Sequence, residues 1–219
     1  MTEDSADGSN RLGAPVGRPA GAVAVLDPGS RALERSGDLA VARRHVEAAA
    51  PGDASHEAAR KRILAFLASH PDALHRSCAE GHLTGSAMVV DPQSRRFLLL
   101  LHAKIGRWLQ PGGHADGDAA LPAVALKEAT EETGIDGLRV AAPAVDLDVH
   151  EFVAPNEPRH LHLDVRYLVL APLDAQPVRN HESHDLRWVS LDEADDYDLD
   201  PGTVRLARAA LTALGDLRI

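Results

Sequence analysis

Three glutamates in the middle of the chain have the type and spacing of a metal site. Glu128, Glu131 and Glu132 stand at positions i, i+3 and i+4, which lie on one face of a helix. Their charges repel each other, and the C-terminal end of a helix already presents negative charge from the helix dipole. A hard divalent cation would compensate both effects, because Mg²⁺, Mn²⁺ and Ca²⁺ prefer carboxylate oxygens. Taken alone, the same pattern is also typical of a solvated acidic helix face.

The glutamates need a helix to position them, and the surrounding sequence predicts one from about Ala119 to Thr133. Asp118 is the predicted N-cap and Gly134 the predicted stop of this helix. The segment before it is predicted to form a strand hairpin, and the segment after it further strands and a closing helix. The predicted strands or extended segments are 83–90, 97–102, 107–110, 145–153, 162–170 and 186–189, the acidic loop is 192–200, and the last helix is 204–214.

The stretch from Gly113 to Ile135, GHADGDAALPAVALKEATEETGI, resembles the signature of the Nudix hydrolases. That signature reads G-x5-E-x7-R-E-U-x-E-E-x-G-U, where U is a bulky aliphatic residue. The flanking segments extend the resemblance to roughly 82–195, with Trp108 ahead of the glycine pair and Trp188 in a later strand. The resemblance implies an α/β (α+β) fold, a Nudix-like α/β/α sandwich with a mixed central sheet.

Three positions depart from the signature. Its first Glu is replaced by Ala119, its Arg by Lys127, and a bulky aliphatic residue by Ala129. In the family the Glu and the Arg are thought to brace the loop against the helix, so this brace is missing in its usual form. A small shift of the loop would bring Asp118 against Lys127, although Lys lacks the planar fork of Arg.

The resemblance also implies an activity and a set of site residues. Nudix enzymes hydrolyse a nucleoside diphosphate linked to another group, with Mg²⁺ or Mn²⁺ as cofactor. Glu128, Glu131, Glu132 and the backbone carbonyl of Gly112 are the implied metal ligands. Glu182 is the candidate for a further ligand in a later loop, and both Glu128 and Glu182 stay candidates for the general base.

Several residues near the glycine pair are candidates for substrate contact. Arg107, Lys104 and His114 have the charge or donors to hold phosphate, although a solvated surface position explains each equally well. Trp108 is a candidate base-stacking platform, with a core position favoured as the alternative. His162 belongs to an alternating set with His160 and Asp164 that would face one side of a strand. This set predicts a substrate-facing wall, a polar sheet face or, with suitable geometry, a zinc site.

The N-terminal part of the chain differs in composition from the rest. All seven aromatic residues lie between Phe66 and Tyr197, and residues 1–30 are rich in Gly and Pro. We therefore expect a mobile or weakly structured extension over 1–50, a helical segment over 53–80 and the catalytic domain over 82–219. Asp53 is the predicted cap of a helix from about Ala54, and a shorter helix is predicted over 72–80.

Composition excludes several classes of protein. The chain has 219 residues, a net charge of −10 and one cysteine, so an intramolecular disulfide and a cysteine-rich zinc site are excluded. The acidic balance argues against nucleic acid as a partner, and no apolar run approaches the length of a membrane span. We expect a cytoplasmic protein with a small nucleotide-type substrate, and the sequence leaves a homodimer open.

Two further hypotheses remain open from the sequence. The departures at Ala119 and Lys127 are compatible with a nucleotide-binding or regulatory Nudix domain without turnover. The Nudix fold also hosts isopentenyl-diphosphate isomerases, which use a catalytic cysteine. Cys78 stands before the hairpin without the expected flanking pattern, and a buried apolar role in the core is the favoured interpretation for it.

Overall fold

The computed structural model describes residues 23–154 and 157–217, and the first part of the predicted N-terminal extension lies outside the described residues. The described chain forms one mixed sheet with helices on both faces. The strands are β1 (Ala24–Leu26), β2 (Gly81–Val90), β3 (Phe97–His102), β4 (Trp108–Leu109), β5 (Gly112–His114), β6 (Arg139–Ala142), β7 (Asp146–Ala154), β8 (Glu157–Leu170) and β9 (Ser183–Val189). The helices are α1 (Leu39–Ala48), α2 (Ala54–Ser69), α3 (Leu121–Thr133) and α4 (Pro201–Asp216).

The centre of the sheet is a parallel pair. β2 runs beside β8 in continuous register from Gly81 opposite Leu161 to Val90 opposite Leu170. The other pairings are antiparallel: β7 and β6 pair with β8, β5 and β3 with β2, β9 and β4 with β3, and β1 with β6. The predicted α/β sandwich with a mixed sheet is therefore the observed fold class.

The alternation of side chains along β2 and β8 divides the core into two layers. Odd-numbered residues such as Leu83 and Leu163 pack with α1, α2 and α3, whereas even-numbered residues such as Met88 and Leu168 pack with α4. Side chains of successive strand residues point to opposite faces, which explains this division. The even-numbered face of β2 and β8 is apolar at the C-terminal ends of the two strands, where α4 covers it. Towards the N-terminal ends of the strands the same face carries polar side chains.

Helix α3 packs closely on the sheet because Gly85 of β2 has no side chain. A Cβ atom at Gly85 would lie 3.0 Å from the carbonyl oxygen of Leu121 and 3.1 Å from the amide nitrogen of Ala125. The closest neighbours are backbone atoms and cannot rotate away, so any larger residue would push the helix outward. This close approach sets how far the glutamates of α3 stand from the strands.

The ends of α3 match the prediction only in part. The helix ends at Gly134, which has a left-handed backbone conformation with φ of 63°, as predicted. Its start is different, because the helix begins at Leu121 with Ala120 as the cap. The carboxylate of Asp118 accepts hydrogen bonds from the backbone amides of Ala120 (2.9 Å) and Ser36 (3.1 Å) instead.

Residues 24–48, within the predicted N-terminal extension, contain a strand and a helix. β1 pairs with β6, and α1 buries Ala42 and Val46 completely in the core. Arg60 of α2 donates hydrogen bonds of 2.9 Å and 2.8 Å to the carbonyls of Val46 and Ala49. The capping of α2 by Asp53 is confirmed, whereas the helix predicted over 72–80 is wrong, since that segment consists of turns.

None of the helices in the described part of the chain has the length and apolarity needed to cross a membrane.

Candidate functional site

Helix α3 directs two glutamates at strand β5. Glu132 is 6% exposed, and its Oε2 accepts a 2.9 Å hydrogen bond from the backbone amide of Gly112. The side chain of Glu128 is 16% exposed, and a Cβ atom on Gly113 would overlap its carboxyl group and lie 2.8 Å from its Cγ. The missing side chain at Gly113 thus allows the backbone of β5 to approach the carboxylate of Glu128, whereas the missing side chain at Gly112 makes room for Ser86 of β2.

Burial makes a negative charge on Glu132 costly. Desolvation raises the pKa of Glu132 to about 8, and the nearby Glu128, Glu182 and Glu131 raise it further, while the hydrogen bond from Gly112 opposes the shift. Removing a carboxylate from water favours its protonated form unless a cation compensates. Hard carboxylate oxygens gathered around a buried acid fit a divalent cation such as Mg²⁺ or Mn²⁺.

Glu128, Glu131 and Glu132 of α3, together with Glu182, are called the acidic group below, because the charges of the other three all raise the pKa of Glu132. Glu182 joins this group from a loop that is tied to the end of α3. Asn180 donates a 3.0 Å hydrogen bond from its side chain to the carbonyl of Glu131 and accepts one of 2.8 Å from the amide of Glu182. The carbonyl of Glu182 accepts a 2.8 Å hydrogen bond from the amide of Ala103. The side chain of Glu182 stays 49% exposed, so its carboxylate is accessible from solvent.

The brace that the signature predicts is replaced by a different ion pair. Lys127 lies 3.0 Å from a carboxylate oxygen of Glu128 and 3.1 Å from one of Glu131. It therefore contacts the acidic group itself, and the pairing with Asp118 considered from the sequence does not form. Ala119 is completely buried, and its amide donates a 2.6 Å hydrogen bond to the carbonyl of Ser36.

The cationic and aromatic candidates for substrate contact lie on the loop and short strand ahead of the glycine pair. Lys104 and Arg107 are exposed in the turn between β3 and β4. Trp108 is half-buried, packs against the core beneath α4, and meets Tyr197 edge-on with ring centroids 5.2 Å apart. All three precede β5 in the chain, and none of them forms a hydrogen bond or an ion pair with the glutamates within the described residues.

A buried arginine organises the polar face of the sheet. Arg166 is 3% exposed, and its guanidinium contacts Asp164 at 2.7 Å, Asp148 at 3.1 Å and Asp146 at 3.3 Å. Asp164 also accepts hydrogen bonds from the hydroxyls of Thr84 and Ser86 in β2. These contacts pair every carboxylate with a donor, as a buried charge requires.

Arg205 completes this network from α4, the helix that packs on the same face of the sheet. Arg205 contacts Asp146 and Asp148, each at 2.9 Å. Burial would raise the pKa of Asp148, but the hydrogen bond from His150 and the positive charges of Arg166 and Arg205 hold it below its usual range. The pKa of Asp146 is lowered for similar reasons, against the effect of its burial.

We expect this network to make the protein less stable in acid. A carboxylate whose folded-state pKa is depressed stabilises the fold above its unfolded pKa of about 4, and this contribution is lost as the pH falls through the folded value. The free energy of unfolding should therefore decrease as the pH drops from 5 to below 3, as measured by urea denaturation at each pH.

The Asp148→Asn variant should lose part of this pH dependence and be less stable than the wild type at pH 7. The matched control is Asp185→Asn, because Asp185 forms an exposed ion pair with Arg187 that contributes little. Equal acid sensitivity of the wild type and the Asp148→Asn variant would contradict the prediction.

Beyond the arginine network, the same face carries histidines. The four-histidine cluster comprises His82 of β2, His114 of β5, and His160 and His162 of β8. Burial lowers the pKa of His114 to about 4, with the charge of Arg76 as a further cause. Burial and the neighbouring histidines lower the pKa of His162 to about 2. His114 and His162 are therefore neutral at neutral pH.

The comparisons with known proteins agree with this geometry. A family model described as the NUDIX domain matches residues 82–210, which is more than half of the chain. This chain belongs to the Nudix hydrolase family. The matched range contains the acidic group, the glycine pair, the arginine network and the four-histidine cluster, so these features all lie in the Nudix domain.

The relatives are similar over a limited range. Two curated relatives are the phosphatase NudJ of Escherichia coli K12 and that of Shigella flexneri, and the chain is 36% identical to each over 90 residues. Each alignment covers 39% of this chain and 53% of the relative. The chain therefore spans about half the length of these curated relatives. An Ap4A hydrolase from C. elegans, seen as a binary complex, has the same fold at 18% identity with a TM-score of 0.51, covering 62% of this chain and 98% of that one.

The sequence prediction missed most of the polar sheet face. It identified Asp164, His160 and His162 but did not connect them with Arg166, Asp148 or His82. A periodicity signal was present, because polar residues alternate along β2 (82, 84, 86), β7 (146, 148, 150) and β8 (162, 164, 166). Alternation in three predicted strands indicates one shared polar face once the strands are paired.

Proposed function

We propose that this Nudix domain is a divalent-metal-dependent pyrophosphohydrolase. Its substrate would be a nucleoside diphosphate linked to another group, cleaved at the diphosphate linkage. The observation that carries the proposal is the buried Glu132, which accepts a hydrogen bond from the amide of Gly112 and whose pKa is raised by its burial and by the charges of Glu128, Glu182 and Glu131. The phosphatase named among the relatives is consistent with phosphate chemistry.

The residues take separate roles in this proposal. Glu128, Glu131 and Glu132, with the carbonyl of Gly112, would hold Mg²⁺ or Mn²⁺, and Glu182 would approach from its loop. When bound, a divalent cation neutralises phosphate oxygens and lowers the pKa of water at the site. Either Glu128 or Glu182 would accept the proton of the attacking water. Arg107 and Trp108 would contact the substrate from the loop before β5.

The acidic character of the chain is compatible with an anionic substrate. Lys127 already neutralises part of the charge on Glu128 and Glu131, and a bound divalent cation would neutralise most of the negative charge that remains. A small nucleotide-type substrate therefore meets a site whose potential differs from that of the protein as a whole. A cytoplasmic location and a homodimer remain predictions.

A hydrolysis screen tests the proposal. The panel comprises nucleoside triphosphates, dinucleoside polyphosphates, nucleotide sugars, ADP-ribose and dinucleotide cofactors, each with Mg²⁺, with Mn²⁺ and with chelator. We expect metal-dependent turnover of at least one class, and identification of the products shows which phosphorus is attacked. The absence of turnover with every class would contradict the proposal.

The second candidate function is nucleotide binding without turnover. The observation that favours it is the contact of Lys127 with Glu128 and Glu131, since a resident ammonium group competes with a cation for the same oxygens. Calorimetry with the same panel distinguishes the two functions. Binding with no hydrolysis supports the second candidate, and turnover with any substrate excludes it.

The Gly113→Ala variant provides a further prediction about the acidic group. The added methyl group would overlap the carboxyl end of Glu128, which is flexible and can turn away at little cost in stability. We expect an activity loss on the order of 10²-fold, because a displacement of about 1 Å in a catalytic group has effects of this size. Steady-state kinetics measures the loss, and thermal denaturation should show a nearly unchanged fold.

Gly37→Ala is the matched control, since a Cβ atom at Gly37 meets nothing within 4 Å. It should leave both activity and stability unchanged. Wild-type activity in Gly113→Ala would show that the position of the Glu128 carboxylate does not matter for turnover.

The thiol of Cys78 does not suit the isomerase hypothesis. Cys78 is 4% exposed, and its burial raises the pKa of the thiol. A cysteine nucleophile requires the opposite shift, because the thiolate is the reactive form. The interpretation of Cys78 as a buried apolar residue is the one that its surroundings favour.

A further inference from the structure

The four-histidine cluster brings together side chains from three strands. His82 of β2 lies directly opposite His162 of β8 in the sheet register, and His114 of β5 pairs with Thr84, two residues along β2. One ring nitrogen from each of the four histidines lies within 4.8 Å of all the others. Four nitrogen donors converging on one point constitute a complete ligand set for a transition metal.

His82 has no polar partner that accounts for its position. Its side chain is buried, with 3% of the residue exposed, and neither ring nitrogen makes a well-formed hydrogen bond within the described residues, although the backbone of Cys78 lies nearby. Buried polar atoms normally find a partner, since leaving one unpaired costs about 1–3 kcal/mol. A ligand between the histidines would satisfy the ring of His82.

His160 is oriented by a hydrogen bond outside the cluster. Its Nδ1 lies 2.8 Å from the carbonyl oxygen of Pro158, which can only accept, so the proton of His160 is on Nδ1. The lone pair of Nε2 is then directed at His162, whose Nε2 is 3.2 Å away. Histidines that bind metals are held in this way by a backbone carbonyl or a carboxylate on the other ring nitrogen.

The spacing of the donors fits a tetrahedral ion. Zinc–nitrogen bonds of 2.0–2.1 Å place two ligands of a tetrahedral site about 3.3 Å apart, and the two Nε2 atoms of His160 and His162 are 3.2 Å apart. In the absence of an ion, one shared proton can bridge this pair. The remaining separations lie within 4.8 Å, so the rings would have to close by up to about 1.5 Å to hold an ion with this geometry.

The chemistry of the donors selects the metal. Imidazole nitrogen suits Zn²⁺, Cu²⁺ and Ni²⁺, whereas Mg²⁺ and Mn²⁺ prefer oxygen ligands. The stacking of Phe152 on the ring of His162, with centroids 4.7 Å apart, gives one side of the cluster an apolar wall. His114 and His160 are half-buried, so the cluster is open to an entering ion from that side.

We propose that the four-histidine cluster binds one zinc ion in a closed, four-coordinate site, separate in its ligands from the glutamates of α3. With four protein ligands the site has no open position for substrate, so its role is structural. The ion would tie β5 to β2 and β8. Because β5 also carries Gly112 and Gly113, this anchor would fix the strand that faces Glu128 and Glu132. The proposal does not depend on the hydrolase activity.

The first experiment uses the full chain without a polyhistidine tag, stripped with chelator. We expect one equivalent of Zn²⁺ to bind per chain, measured by calorimetry and elemental analysis. Co²⁺, which reports coordination geometry, should give the intense visible absorption of a tetrahedral site, and added Zn²⁺ should abolish it. Excess Mg²⁺ is present throughout, since it competes for carboxylates but not for imidazole. Zinc should also raise the melting temperature by about 5 °C or more.

Variants assign the binding to particular histidines. His160→Gln and His114→Gln, both half-buried and therefore less demanding for the fold, should weaken zinc affinity by at least about 100-fold. The matched control is His150→Gln, because the ring of His150 packs 5.4 Å from that of His162 but is outside the four-histidine cluster. Glu132→Gln is the second control, and both controls should retain the Co²⁺ spectrum.

Either of two results would overturn the proposal. The first is the absence of tetrahedral Co²⁺ absorption in the wild-type chain. This measurement does not depend on whether any variant folds. The other is Co²⁺ absorption that survives in His160→Gln and disappears in Glu132→Gln, which would place the ion among the glutamates. Failure of the hydrolysis screen leaves the zinc measurement unaffected, so the two proposals fail independently.

Discussion

Replacing Glu132 by Gln is expected to lower kcat of the proposed pyrophosphohydrolase by about 10²- to 10³-fold, with a smaller change in KM. Holding the cation contributes several kcal/mol of transition-state charge stabilisation, and each 1.36 kcal/mol corresponds to a factor of ten in rate. Gln keeps an oxygen that can accept the hydrogen bond from Gly112, so the change removes the charge rather than the contact. Steady-state kinetics with Mg²⁺ on the best substrate of the screen measures the effect.

A stability measurement separates this loss from misfolding. In chelator, Glu132→Gln should be at least as stable as the wild type, because it removes a buried carboxylate that Glu128, Glu131 and Glu182 repel. The matched control is Glu47→Gln, since Glu47 lies in an exposed ion pair with Arg43 on α1 and should not affect kcat. Undiminished activity in Glu132→Gln would refute the assignment of Glu132 as a ligand.

Replacing Arg166 by Met should lower the free energy of unfolding by about 3–5 kcal/mol, the usual effect of removing one partner from a buried ion pair. Arg166 faces Asp146, Asp148 and Asp164, and Asp146 and Asp164 are each 1% exposed. Without the guanidinium, these carboxylates would remain buried with fewer donors and could not reach water. Chemical denaturation at pH 7 measures the change.

The comparison variants for this prediction are Arg187→Met and Arg166→Lys. Arg187 pairs with Asp185 on the surface, with 59% of its side chain exposed, so its loss should cost less than about 1 kcal/mol. Lys keeps the charge but not the planar fork that reaches three carboxylates. The free energy of unfolding of Arg166→Lys should therefore lie between those of the wild type and Arg166→Met. This variant keeps the prediction testable if Arg166→Met does not fold. Equal stabilities of the Arg166 and Arg187 variants would contradict the role of the network.

Most of the local structure could be predicted from the sequence because local rules decide it. The strand over 97–102 was predicted with its observed bounds, since an apolar run bounded by turn residues has few alternatives. Gly134 ends α3 because it adopts the left-handed conformation at low cost. The spacing of Glu128, Glu131 and Glu132 was sufficient to place them together on the helix.

The predictions that differed depended on contacts distant in sequence. The segment 24–48 has no aromatic residue and many small ones, and it forms β1 and α1 because strand β6 and helix α2 provide partners. The helix predicted over 72–80 has acceptable local propensity, but the segment forms turns instead, and Leu83 donates a backbone hydrogen bond to the carbonyl of Ala73. Tertiary partners overrode weak local preferences in both cases.

The sequence by itself determined the family, the position of Glu128, Glu131 and Glu132 on α3 and the glycine pair that precedes them. These features occupy short spans whose geometry a helix or a turn sets locally. The tertiary structure decided which residues from separate strands meet: His82 with His162, and Arg166 with Asp146 and Asp148. The physical reason is that strand register, fixed by the packing of the whole sheet, sets these contacts, and a shift of one residue would turn each side chain to the opposite face.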